Sequence, residues 1–150
     1  MPDTLPLQRI NDFLNREAIK ELRIRYSALL DGGDTDRLGE VFTDDAELRV
    51  TVGAFRGLAE IKSNLGAAYA SFDTQQRKHY PFVHAVVNHE VSLTSATTAT
   101  GCCYLLDLVT DRPSGSHPFL LVGRYLDEYA LIDGEWRITR SELDVLWPNE

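Results

Sequence analysis

Residues 19–31 read IKELRIRYSALLD. Ile19, Leu22, Tyr26, Leu29 and Leu30 recur at steps of three and four, the spacing that lines one face of an α-helix. Lys20, Glu21, Arg23 and Arg25 lie mostly off that face and are expected in water. Gly32 and Gly33 follow, and supply the left-handed conformations of a helix stop. Asp31 therefore closes the helix with a carboxylate, where the helix dipole is already partly negative. An acid placed against the dipole calls for a partner elsewhere in the chain.

Working outward, residues 1–6 hold two prolines and read as a loose tail, and a short helix is expected over Leu7–Leu14. Asn15 is a fair N-cap for the main helix, with Glu17 in its first turn. Beyond Gly33 the run TDRLGEVF reads as a second helix, followed by a strand in TDDAELRVTV and a short strand, AFR, between Gly53 and Gly57. Leu58, Ile61, Leu65, Ala68, Tyr69 and Phe72 return to helical spacing, so a third helix is expected over 58–72. Asp73–Lys78 is a polar loop. After it come four long stretches rich in Val, Leu, Thr and Tyr: Tyr80–Thr94, Thr97–Val109, Phe119–Ile132 and Glu135–Leu146. Ser95-Ala96 is a short turn, and Asp133-Gly134 is the strongest hairpin signal in the chain. Helices followed by sequential strands predict a single α+β domain over 1–150 with a mostly antiparallel, strongly curved sheet. About three helices would pack on its concave face and enclose a pocket.

Composition narrows the function classes. With 43% hydrophobic and 25% charged residues the chain is an ordinary globular one. The formal net charge is −8 and no basic run is interleaved with aromatics, so nucleic acid is not an expected partner. No apolar run approaches the roughly 20 residues of a membrane helix, so no membrane partner is expected either. The start, MPDTLPLQRINDF, lacks the pattern of a signal peptide. Cys102 and Cys103 are adjacent on an expected strand, point to opposite faces and cannot readily bridge, which suits a reducing cytoplasm.

The run RYSALLDGGDTDRLGEVFTDDAEL, the helix start FRGLAEI, then HAVVN and GRYLDEYALIDGEWRI resemble, in order and spacing, the SnoaL-like branch of the nuclear-transport-factor-2-like superfamily. The resemblance spans roughly residues 8–147, as one domain would. It implies a conical α+β barrel with one deep apolar pocket. Within that superfamily, scytalone dehydratase and hexachlorocyclohexane dehydrochlorinase pair a helix-end Asp with a strand His. The dehydrochlorinase has an Ile twelve residues before its Asp, the separation of Ile19 and Asp31, and an Asn four residues after its His, as Asn88 follows His84. The resemblance thus implies Asp31 and His84 as a catalytic dyad.

The chain has four histidines. His79, His84 and His89 sit on or beside one expected strand at five-residue steps, which reverse the face of a regular strand. His84 shares parity with Phe82, Val86 and Asn88, so His84 and Asn88 are expected to project into the pocket together. Parity argues against a shared metal, and no carboxylate stands at ligand spacing, so neither metal nor cofactor is expected. A neutral imidazole takes a proton near pH 7, and a carboxylate on its other nitrogen fixes the tautomer. This suits a cofactor-independent lyase, a dehydratase or dehydrohalogenase acting on an apolar cyclic molecule, with Tyr26 and Tyr104 as donors to the substrate. Ketosteroid isomerase has its Asp base four residues after a DDA turn; here that position is Val50. Polyketide cyclases of this branch carry an acid on a later strand, for which Asp107 and Asp127 are loose candidates. The alternative is a non-catalytic binder or a partner subunit with the same cone. Val83, Val87, Leu105 and Leu126 are expected on the outer face of the sheet, too apolar to stay exposed, which predicts a homo-oligomer. The family implies a dimer or trimer.

Overall fold

The computed structural model describes residues 6–77 and 79–149; the first five residues of the expected tail lie outside that range. The expected break near Asn15 does not occur. A single 26-residue helix, α1, runs over Leu7–Gly32. Asn15 is a mid-helix residue whose Oδ1 accepts a hydrogen bond from Trp136 Nε1 at 3.0 Å. The far end stops as expected: Gly33 is left-handed (φ 76°), and the Gly33 and Asp34 amides donate to the carbonyls of Leu30 and Leu29.

A 3-10 helix over Thr35–Glu40 replaces the expected second α-helix, burying Leu38. Strand β1 (Phe42–Val50) pairs with β2 (Gly53–Arg56), and α2 (Leu58–Ala70) buries Ile61 and Leu65. Then β3 (Phe82–Leu93), β4 (Thr98–Val109), β5 (Phe119–Ile132) and β6 (Glu135–Trp147) form an antiparallel meander. Asp133 (φ 51°) and Gly134 (φ 81°) both take positive φ in the two-residue turn between β5 and β6, the conformation a tight hairpin favours. The sheet has six strands in the order β2-β1-β6-β5-β4-β3, with β1 parallel to β6 and every other pair antiparallel.

The core lies between α1 and one face of the sheet. Ile19, Leu22, Tyr26, Leu29 and Leu30 of α1 are buried, as their spacing requires, with Cys103 and Leu105 of β4, Tyr125 and Tyr129 of β5, and Trp136 and Ile138 of β6. Leu105 was expected on the outer face; it is 1% exposed, because it shares parity with Cys103 and Ala99, which also point inward. Val83, Val87 and Leu126 do stand outside, each about two-fifths exposed. Both cysteines are free. No helix among the described residues is long and apolar enough to cross a membrane.

Candidate functional site

The end of α1 meets the start of β3. The Asp31 Oδ1 lies 2.6 Å from His84 Nδ1, and the His84 amide donates to the Asp31 carboxylate at 3.1 Å and 3.3 Å. The Tyr80 amide in turn donates to the Asp31 carbonyl at 3.0 Å. The acid placed against the helix dipole is therefore held by two donors of one residue. With Nδ1–H given to Asp31, the His84 tautomer carries its free lone pair on Nε2.

Three groups face Nε2. The Tyr69 hydroxyl, from α2, is 3.4 Å away. Burial pushes that phenol well above its ordinary range, so it stays a donor. Asp107, directly paired with His84 across β3 and β4, places Oδ2 at 3.9 Å. Its other oxygen, Oδ1, is buried without a hydrogen-bond partner. Burial raises the Asp107 carboxyl above its ordinary range, against the pull of His84. The Phe82 ring closes the third side, and Tyr80 and Phe72 stack around Tyr69 and Phe82. His84 is 5% exposed, covered by these side chains. Surface cavities of ≈ 270 to ≈ 710 Å³ are lined by other residues, the largest by Gly32, Gly33, Asp73 and Tyr80 beside the helix end.

The remaining site expectations divide. Tyr26 is inside, 1% exposed, but packs edge-on against Phe42 and Tyr125 as core, and burial pushes its phenol up to about 12. Tyr104 is corrected: it points out of the cone and is 39% exposed, since β4 turns its odd-numbered residues inward. Asn88 is corrected too. The β3–β4 register shifts between Val87 and Glu90, and Asn88 sits in that bulge with φ 53° and its side chain exposed. The extra residue resets the alternation, so His89, expected to face away from His84, turns inward instead.

There it joins a second polar cluster that spacing alone did not reveal. Arg23, expected in water, is wholly buried and donates through Nε and Nη2 to Asp127 and through Nη2 to Ser141 at 2.8 Å. Its guanidinium lies over the Tyr125 ring at 3.9 Å. Tyr129 donates to Asp127 at 2.8 Å, and His89 Nε2 is 3.2 Å from the Tyr129 hydroxyl. Burial opposes the guanidinium's charge, but Asp127, Tyr125 and Tyr129 together outweigh it and hold Arg23 above its ordinary range. His89, Cys103 and Asp127 bring ligand-type atoms within 4.8 Å of one another. A cation is a poor fit: the Asp127 oxygens already serve Arg23 and Tyr129, a fixed positive charge stands beside them, and burial pushes the Cys103 thiol up to about 12.

Tyr69 is the site residue that the spacing rules missed, and Asp107 stands out in the sequence only as a loose candidate for a cyclase-type acid. The signal for Asp107 was an acid among apolar residues in LLDLV; Tyr69 was hidden because an aromatic at helical spacing reads as core.

Comparison with known proteins bears on the family and the fold. No curated protein sequence matches the chain. Among solved structures, a nuclear-transport-factor-2-like protein with a cystatin-like fold from Novosphingobium aromaticivorans is similar, with 24% identity over 99% of this chain and 94% of its own, at a TM-score of 0.78. A protein proposed to be a scytalone dehydratase, from the same organism, shares 23% identity over 91% and 87%, at 0.73. LinA shares 21% over 93% and 90%, at 0.74. At these identities the likeness concerns the fold. The profile of the SnoaL-like domain matches residues 11–142, and the chain belongs to that family.

Proposed function

We propose that this protein is a small cofactor-independent lyase in which His84 removes a proton from carbon and a leaving group departs from the neighbouring carbon. The observation that carries the reading is the 2.6 Å contact between Asp31 and His84 Nδ1, reinforced by the His84 amide. Asp31 fixes the tautomer and stabilises the imidazolium that forms. Tyr69, not Tyr26 or Tyr104, is the donor within reach of a substrate oxygen at Nε2. The aromatic surroundings suit an apolar cyclic molecule and exclude water, which strengthens both interactions. The solved relative proposed to be a scytalone dehydratase supports this class of chemistry.

A substrate must displace the side chains that cover His84, so binding should order a new arrangement and raise the melting temperature. A thermal-shift screen against cyclic alcohols, enones, steroids and haloalkanes, followed by turnover of the hits, tests the proposal. Elimination by the wild type that disappears in His84→Ala supports it; hits turned over equally by both refute it.

We also infer a homo-oligomer built on the outer face. Val83, Val87 and Leu126 are joined there by Tyr104, which pairs with Val87 across β3 and β4. Light scattering at micromolar concentration should show a dimer or trimer. A monomer would remove this inference.

A further inference from the structure

The elimination just described uses one face of His84 and leaves Asp107 without a task. Asp107 is 6% exposed, stands directly across from His84 in the β3–β4 register, and keeps Oδ2 3.9 Å from Nε2. Its Oδ1 is buried with no hydrogen-bond partner among the described residues. A buried orphan oxygen is costly unless something supplies its hydrogen bond. The groups facing it are His84 on β3, Asp31 at the end of α1, Tyr69 on α2, and Tyr26 and Tyr125 in the core. None of these is a fixed cation, so the environment favours the neutral acid, the form in which a carboxyl has a proton to give. Asp31 is the opposite case in its bonding: it accepts from two N–H groups of His84.

We propose that Asp107 is the general acid of this site, protonating a leaving hydroxyl, and that its substrates are cyclic β-hydroxy carbonyl compounds that lose water. The inference rests on the elimination reading and narrows it. Hydroxide is a poor leaving group and departs readily only as water, whereas a halide leaves as an anion and has no use for a donated proton. In the step, His84 Nε2 takes the proton α to the carbonyl, and the C–H electron pair becomes the new C=C bond. The C–O bond breaks with its electrons going to oxygen, which receives the Asp107 proton. Water leaves, His84 is an imidazolium and Asp107 a carboxylate. The 3.9 Å between Nε2 and Oδ2 then lets the imidazolium return the proton to Asp107, through the Tyr69 hydroxyl or a water, and both groups are reset. Nothing besides the substrate is consumed.

The test compares β-hydroxycyclohexanone with β-chlorocyclohexanone, followed by enone absorbance and corrected for the uncatalysed rate. Asp107→Asn should lower turnover of the hydroxy ketone by roughly 10²–10⁴-fold, the usual worth of a positioned proton donor, while sparing the chloro ketone. Equal losses on both, or none on either, overturn the acid role and leave the dyad standing. If the wild type turns over neither, or His84→Ala matches the wild type, the elimination reading falls and the acid role falls with it. A measurement independent of turnover follows the aspartate carboxyl carbons by NMR. The resonance missing from Asp107→Asn should titrate above the ordinary range near 3.9. Titration at or below that range overturns the proposal.

Discussion

The concave face holds two polar clusters built on opposite principles. Around Arg23 the polar groups serve one another: the guanidinium reaches Asp127 and Ser141, Tyr129 reaches Asp127, and His89 reaches Tyr129. Around His84 the inner half is equally tight, but the outer half is loose, with a long Tyr69 contact, a carboxylate oxygen beyond bonding distance and another with no partner. Arg23 Nη1 is the one group of the first cluster left without a partner among the described residues, and a network otherwise so closely bonded favours one arrangement of the chain, whereas the loosely bonded outer side of His84 keeps bonding capacity in reserve. The first cluster is a means of holding the cone together; the second, once its covering side chains move, has hydrogen-bonding capacity left for a guest's polar atoms.

The contrast breaks most sharply at the dyad. His84→Ala should reduce turnover to background, and Asp31→Asn should lose roughly 10²–10⁴-fold by permitting the wrong tautomer, with the fold intact. Because the two act as a unit, the double variant should be little worse than His84→Ala; additive losses would dissolve the dyad. At the other cluster the damage should appear in stability. Arg23→Met or Asp127→Leu alone strands a buried charge and should cost about 3–5 kcal/mol in urea unfolding, and the pair together much less. If the single variants unfold at the wild-type midpoint, the Arg23 cluster is not structural. The smallest effect is a pH signature at Asp107. Its folded carboxyl titrates above the unfolded one, so the wild type loses stability as pH rises from the unfolded value to the folded one and no further. Asp107→Asn should therefore gain in urea midpoint over the wild type at neutral pH, with the gain vanishing in acid below the unfolded value. A constant difference across pH would contradict the sign.

What the sequence made legible follows from where periodicity acts. The buried stripe of α1, its stop at Gly33 and the Asp133-Gly134 hairpin depend on neighbours a few residues away, and they came through. A carboxylate at a helix C-terminus marked Asp31 as wanting a partner, and the resemblance to the SnoaL-like branch, with the strand parity of His84, named that partner. The rest depends on pairings distant in sequence. Strand β4 reads CCYLLDLV, apolar at nearly every position, so nothing local tells which parity faces inward. Tyr104 and Leu105 were exchanged for that reason. One bulge at Asn88 reversed the expected facing of Asn88 and His89. Arg23 sits at the edge of the helix stripe, and only Asp127, 104 residues away, decides that it is buried. The parallel seam between β1 and β6 joins segments too far apart for any local signal.

The direct pairing of His84 with Asp107 carries a stereochemical consequence. Two neighbours on adjacent strands, with side chains on the same face of the sheet, approach a flat ring from one side only. A ring held against them would lose its hydrogen and its hydroxyl in a syn sense. An anti elimination would need a donor on the far side of the ring, where α1 and α2 would have to supply it. For the proposed elimination, a syn sense would thus depend on which residue of β4 stands opposite residue 84, and a shift of that register by one position would turn the acid out of the cone.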